Sequence, residues 1–211
     1  WQPKFFINAA AYTAVDLAET EIQQAMQLNA EAPRLLATLC AEYDCVLLHP
    51  STDYVFDGRL NRPYQETDTL NPLNIYGASK AQGEYYLQAS SAKYVILRVS
   101  WVFSAYGKNF LKTILRLAQE KTSLSIVADQ IGCPTAAAHI AQVLLTIIEQ
   151  IQKGQAHFGV YHYCDQPIVS WYQFAQSIIT EAKKYRALPL ETLLPISTND
   201  YPTAATRPVN S

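Results

Sequence analysis

The chain has 211 residues, 49% of them hydrophobic, a formal net charge of −2 and an isoelectric point near 6.1. That length and apolar content suffice for a substantial core. The mild acidity, with no basic run longer than a pair such as Lys183-Lys184, argues against nucleic-acid and membrane-surface partners. No apolar stretch approaches the about 18 residues that a membrane span needs, and the first residues show no signal-peptide succession. Cys40, Cys45, Cys133 and Cys164 form no C-x-x-C pair. Four buried free thiols in a cytoplasmic protein are therefore expected, with no disulfide framework and no metal site.

Residues 5–10 read as a short buried strand that ends in small side chains. Ala9 and Ala10, followed by Tyr12 and Thr13, would let a flat ligand approach the backbone there; close strand-on-helix packing is the plainer alternative. Residues 18–43 carry Ala25, Leu28, Ala32, Leu35, Leu36 and Leu39 at helical spacing, which predicts a helix bent at Pro33. Val46-Leu47-Leu48 is the next strand, and it breaks into the polar turn Ser51-Thr52-Asp53-Tyr54. Residues 57–72, with two prolines and a glycine, read as loop. Then come a helix over 76–90, a strand over 94–98, a helix over 109–120 and a strand over 124–128. A helix over 136–152, a strand over 160–164 and a helix over 170–184 with Ser170 as N-cap complete the series. This alternation predicts an α/β fold with a doubly wound parallel sheet and helices on both faces.

Tyr76 and Lys80 stand four residues apart at a helix start, so both side chains leave one face. An ammonium close to a phenol lowers the phenol pKa from its reference of about 10. A phenol tuned in this way can give a proton to a ketone that receives a hydride. The bare spacing also fits an ordinary amphipathic helix. Ligands of open α/β sheets bind outside the carboxyl ends of strands, where Thr52 is expected; its hydroxyl could hold a substrate oxygen beside Tyr76, or merely cap its own turn. Asp53 and Tyr54 could line the same pocket or end the strand. Trp101 offers a flat face and one N–H donor to a sugar ring, and a half-buried core role is nearly as well supported. His49, His139, His157 and His162 have no partners at metal-ligand spacing and read as ordinary histidines.

Longer blocks give these residues a context. They are Ile7-Asn8-Ala9-Ala10-Ala11-Tyr12-Thr13-Ala14-Val15-Asp16, Ser51-Thr52-Asp53-Tyr54-Val55-Phe56-Asp57-Gly58, Pro63-Tyr64-Gln65-Glu66 and Pro72-Leu73-Asn74-Ile75-Tyr76-Gly77-Ala78-Ser79-Lys80 with Gly83-Glu84. Arg98-Val99-Ser100-Trp101-Val102-Phe103, Asp129-Gln130-Ile131-Gly132-Cys133-Pro134-Thr135, Tyr201-Pro202-Thr203 and Arg207-Pro208-Val209-Asn210-Ser211 follow in order. Together they resemble the extended short-chain dehydrogenase/reductase family over essentially the whole chain. Within it they are most similar to reductases of a dTDP-linked 4-keto-6-deoxy sugar. The resemblance implies a Rossmann-like fold, NADPH or NADH as cofactor, a dTDP-sugar as substrate and compatibility with a homodimer. It implies that Tyr76 donates the proton, that Lys80 lowers the Tyr76 pKa and holds the nicotinamide ribose, and that Thr52 orients the carbonyl oxygen. Ala9, Ala10, Tyr12 and Thr13 become a cofactor wall, together with Tyr76 and Lys80. Asp53, Tyr54 and Trp101 become sugar contacts, Arg207 a partner for the diphosphate, and Asn29 a brace for the active-site loop.

The resemblance also implies a division of the chain. Residues 1–130 would be the remainder of the dinucleotide-binding part with the catalytic residues, and 131–211 a smaller substrate-binding part interleaved with the sheet. The family opens with a strand and a glycine-rich turn that holds the cofactor pyrophosphate. The seven glycines here include no G-x-G pair. The chain is thus expected to lack the N-terminal part of that fold and the extreme C-terminus, and as a piece to bind cofactor weakly or be inactive. Two relatives of the same fold stand as alternatives. A non-catalytic regulatory subunit of a methionine adenosyltransferase would not need the Thr52, Tyr76 and Lys80 set. Epimerases and dehydratases share Tyr76 and Lys80 but add acid-base groups beside the Thr, where this chain has Asp53 and then Tyr54.

Overall fold

A computed structural model describes residues 2–155 and 157–211. Strand β1 (Phe5–Ile7) runs into a loop and the short helices α1 (Val15–Ala18) and α2 (Ile22–Met26), then a π-helical segment (Gln27–Glu31) and helix α3 (Ala32–Glu42). The bend expected at Pro33 lies earlier. Pro33 sits in the first turn of α3, which continues the helix without a break, and the irregular backbone is the π segment before it.

Strand β2 (Val46–Thr52) leads through a 3₁₀ turn (Asp53–Val55) and a long loop to α4 (Ile75–Gln88), and β3 (Tyr94–Val99) follows. Next come β4 (Val102–Phe103), α5 (Phe110–Glu120), β5 (Ser123–Val127), β6 (Ile131–Gly132), β7 (Thr135–Ala136), α6 (Ala137–Gln152), β8 (Gly159–Tyr163), β9 (Val169–Ser170), α7 (Trp171–Lys183) and β10 (Thr192–Ile196). The central sheet has the order β1-β2-β3-β8 and all its pairings are parallel.

Alternation along β2 and β3 explains why both faces of this sheet are covered. Leu47 and Ile96 point to one face, where they pack with Ala37 and Cys40 of α3 and Leu87 of α4. Val46, Leu48, Val95, Leu97 and Val99 point to the other, against Ile140 and Leu144 of α6. Strands buried on both faces read as unbroken apolar runs, which is why Val46-Leu47-Leu48 shows no polar alternation. Burying each such leucine contributes about 1.5–3 kcal/mol relative to leaving it exposed.

A second apolar cluster lies beyond the sheet. It joins Trp101, Ile114 and Ala118 of α5, and Leu124 of β5, to Phe174, Ala175, Ile178 and Ile179 of α7. Strand β10 pairs in parallel with β5. Residues on both sides of position 130 thus build this layer, while β8 returns to the central sheet. Ser170 caps α7 with a full capping box to Gln173, as the sequence predicts. Cys40, Cys45 and Cys133 are buried free thiols, whereas Cys164 is exposed, because it follows the last residue of β8 at the sheet's end.

Candidate active site

The site forms where β2 stops. The Thr52 hydroxyl accepts from Tyr54 N at 3.2 Å and donates to Asp53 Oδ1 at 2.9 Å, so it caps the 3₁₀ turn. The Tyr76 phenol lies near enough to this hydroxyl for it to lower the phenol's pKa. Helix α4 brings Tyr76 there because Asn74 caps its start, accepting from Gly77 N at 2.8 Å, and because Glu19 accepts from Ile75 N at 2.8 Å. Gly77 is required by proximity: a Cβ there would lie 2.2 Å from the Tyr54 carbonyl oxygen. Tyr54 and Tyr76 meet edge to face with ring centroids 5.8 Å apart.

Helix α4 is held against β2 and β3 by a buried ion pair. Arg98 of β3 grips Glu84 with a shortest contact of 2.6 Å, and Ser51 donates to the same carboxylate. One turn after Tyr76, Lys80 is 2% exposed. Its Nζ donates to the Pro50 carbonyl at 2.8 Å and lies 3.2 Å from His49 Nε2. The other His49 ring nitrogen is 3.1 Å from Asn8 Nδ2.

This placement corrects the expected tuning. Burial raises the Tyr76 phenol to about 12, the Thr52 hydroxyl pulling it back and the Asp53 charge adding to the rise. Lys80 has turned its amine toward β2 and is not among the groups that act on the phenol. Burial lowers Lys80 itself to about 8, with Glu84 working against the fall. Asp53 is buried, Oδ2 has no hydrogen-bond partner among the described residues, and burial raises its carboxyl to about 6.

The expected cofactor wall is split. Ala9 and Ala10 are exposed just past β1, and Thr13 is exposed. Tyr12 is engaged elsewhere: its phenol donates to Glu21 at 2.6 Å, which raises it to about 12. Its backbone is clamped by Asn29, whose side chain accepts from Tyr12 N at 2.8 Å and donates to Tyr12 O at 2.9 Å and to Ser79 at 3.0 Å. Asn29 lies within the π segment, and a Cβ on Gly83 would come 2.1 Å from its carbonyl oxygen. The widened turn and Gly83 therefore let the brace reach α4 at close range.

Trp101 is not an open platform for a sugar. Its ring stacks on Trp171 with centroids 3.4 Å apart and planes 3° from parallel, and it is 8% exposed. Its backbone has φ 46°, a left-handed turn out of β3 that aims the ring into the second apolar cluster. Arg207 forms a two-pronged pair with Asp16, at 3.1 and 2.7 Å. Both line a cavity of about 1030 Å³ that also touches Tyr54, Gln130 and Trp171. A smaller cavity of about 370 Å³ lies behind Asp53. Among the described residues no cluster of three or more His, Cys, Asp or Glu is placed to hold a metal ion, and no helix is long and apolar enough to cross a membrane.

Sequence reading overlooked His49 and Asn74. A lone histidine inside the apolar run Val46-Leu47-Leu48-His49 must find a buried partner, and that was the available signal. Nothing in the sequence ties Asn74 to the Thr206 carbonyl, which it meets at 2.7 Å across 132 residues.

A parallel α/β sheet with a threonine, a tyrosine and a lysine gathered at a strand's carboxyl end defines the class of nucleotide-dependent short-chain reductases and their relatives. The comparisons narrow this. The model of the RmlD substrate binding domain matches residues 1–211, and the chain belongs to that family. It is 48% identical over 213 residues to a dTDP-4-dehydrorhamnose reductase of Aggregatibacter actinomycetemcomitans, covering 100% of this chain and 72% of the relative. It is 41% identical to the protein of the same name from Escherichia coli K12, covering 100% of this chain and 71% of that one. Among solved structures, dTDP-4-dehydrorhamnose reductase from Bacillus anthracis in complex with NADP superposes with a TM-score of 0.91 at 38% identity, over 99% of this chain and 71% of that chain.

Proposed function

We propose that this chain belongs to an NAD(P)H-dependent reductase that converts dTDP-4-dehydrorhamnose to dTDP-L-rhamnose. The observation that carries the reading is the meeting of Thr52 and Tyr76 at the carboxyl end of β2, beside Tyr54 and the 1030 Å³ cavity. Relatives named for this reaction, and a structural neighbour named with NADP, support it. The residues present fit the nicotinamide end of such a cofactor. Ala9 and Ala10 offer small exposed side chains, and Asn8 and His49 link that strand end to Lys80. The sequence holds no G-x-G turn for the pyrophosphate.

The cofactor supplies the hydride when bound. Tyr76 supplies the proton. A phenol at about 12 keeps its proton at neutral pH, which is the form a general acid needs for reduction. Thr52 orients the accepting oxygen. Lys80, with its pKa at about 8, is mostly cationic at pH 7 and, one turn after Tyr76, would hold the nicotinamide ribose. Arg207, steadied by Asp16 at the cavity rim, offers its charge to the diphosphate. Asp53 supports Thr52 from below. Residues 1–130 carry the proton transfer, and 131–211 contribute mainly to the sugar-nucleotide side, interleaved with the sheet.

The test is NADPH oxidation with dTDP-4-dehydrorhamnose, using enzyme expressed from the full reading frame. Tyr76→Phe is expected to lower turnover by roughly 10² to 10⁴, with sugar-nucleotide affinity little changed. Near-normal turnover would remove Tyr76 from the mechanism.

A further inference from the structure

The three buried groups Asn8, His49 and Lys80 form an unbroken chain: Asn8 Nδ2 to His49 Nδ1 at 3.1 Å, then His49 Nε2 to Lys80 Nζ at 3.2 Å. All three are nearly fully buried, at 6%, 1% and 2% exposure. Water is thus not at hand to repair a mismatch, and donors must face acceptors.

The neutral imidazole has one N–H and one lone pair, so only two patterns match. In the first, Lys80 is a neutral amine: Nε2–H donates to Nζ, and Nδ1 accepts from the Asn8 amide. That agrees with the orientation in which Asn8 Oδ1 accepts from Ala10 N at 3.3 Å. In the second, Lys80 is an ammonium and can only donate. Nε2 then holds the lone pair, Nδ1 carries the hydrogen, and Asn8 must turn its amide over to present Oδ1. Imidazolium is excluded beside a charged Lys80, where two donors and two like charges would meet, and beside a neutral one because burial holds His49 well below its ordinary pKa.

We propose that Asn8 and His49 are positioning residues for Lys80, and that His49 exchanges tautomer, without gaining charge, whenever Lys80 gains or loses its proton. On deprotonation, one proton passes from Nζ to Nε2 while another leaves Nδ1 on the Asn8 side, for a net loss of one proton to water. The Lys80 amine is held between His49 and the Pro50 carbonyl in either state. The amide turnover ties its charge to the Ala10 backbone, at the strand end assigned above to the cofactor wall. The effect on turnover rests on Lys80 taking part in the reaction proposed above; the tautomer exchange does not.

The groups that face Lys80 agree with this. From its own helix, Glu84 favours the charged amine, but Glu84 is already gripped by Arg98 and Ser51. Tyr76 lies one turn before it, and β2 contributes His49 and the Pro50 carbonyl. Burial, and then the Lys80 charge, hold His49 well below its ordinary pKa, so its ring stays neutral across the range in which Lys80 titrates.

The experiment is ¹⁵N NMR of imidazole-labelled protein from pH 6 to 10, with ¹³Cε-lysine to follow Lys80 and Lys80→Arg to assign its signal. The His49 nitrogens should exchange protonated and lone-pair shifts at the same midpoint as the Lys80 signal, near pH 8. In Lys80→Met the exchange should vanish. His49→Gln, which keeps an acceptor for the amine, should retain more turnover than His49→Leu, and the pH limb of kcat should move only in the leucine variant. One tautomer throughout, or an imidazolium appearing with the Lys80 titration, would overturn the proposal. The titration needs no substrate, so a failure of the Tyr76 assignment would leave this result readable.

Discussion

At the scale of single residues, Asp53 is the group whose charge should be most visible from outside. Its carboxyl sits at about 6 in the folded protein against 3.8 for a free side chain. Below about pH 4 it is protonated in both folded and unfolded states. Between about 4 and 6 the unfolded chain releases its proton while the folded chain holds it, so stability falls as pH rises, by up to about 3 kcal/mol. Above about 6 both states are ionised and the slope ends. Asp53→Asn does not titrate and keeps an oxygen for the Thr52 hydroxyl. Denaturant midpoints measured every half unit from pH 4 to 7 should show the fall in the parent and a flatter profile in the variant. An identical slope would mean that another group carries it. The exposed acceptors around the site, by contrast, gain little from their pairs: Asp16 is held low by Arg207, yet its side chain is 46% exposed, and solvent screens such a bond.

At the scale of elements, the position of α4 decides whether the site exists. Two glycines let backbone carbonyls press onto it, and the contact at Gly83 is the closer. Gly83→Ala would push the helix away from the π segment, since the clashing atom is a main-chain oxygen that cannot rotate aside. The cost should fall in the range of about 1–3 kcal/mol expected for overpacking. It should be accompanied by lost turnover even at temperatures where the variant is folded, because Tyr76 moves with the helix. Unchanged melting and unchanged rate together would show that the segment yields freely.

The same elements explain what was legible in the sequence. The apolar runs of β2 and β3, the amphipathic spacing of α5 and α7 and the Ser170 cap report local physics, and they are where expected. Thr52, Tyr76 and Lys80 stood out because chemistry-bearing residues interrupt such runs at a strand end and a helix start. Strand β10 was not legible: Thr192–Ile196 contains a proline, and its partner β5 lies some seventy residues away along the chain. The two-residue strands β4, β6, β7 and β9 exist only as pairings. The stacking of Trp101 on Trp171 was not legible, because its partner is supplied by a helix that sequence alone does not bring near it. The direction in which Lys80 points depended on His49, across two elements.

At the scale of the whole molecule, the tail from Thr203 to Ser211 is stitched to both halves. Arg207 binds Asp16, Asn210 donates to the Leu60 carbonyl at 2.6 Å, and Asn74 reaches Thr206. The sequence separations are 191, 150 and 132 residues. Closing loops of this length costs roughly 4–5 kcal/mol of chain entropy each when made first, whereas β2 to β3 closes far more locally. Contacts of high separation therefore belong to the late part of folding. The wall of the large cavity, which the tail and the Asp16 segment build together, should be the last thing to form. In stopped-flow refolding, far-ultraviolet ellipticity is expected to recover before the capacity to bind a dTDP-sugar, and Arg207→Met should slow only the second phase. Recognition of substrate would accordingly report on the most distant closures of the chain, since the pocket wall exists only once segments more than a hundred residues apart have met.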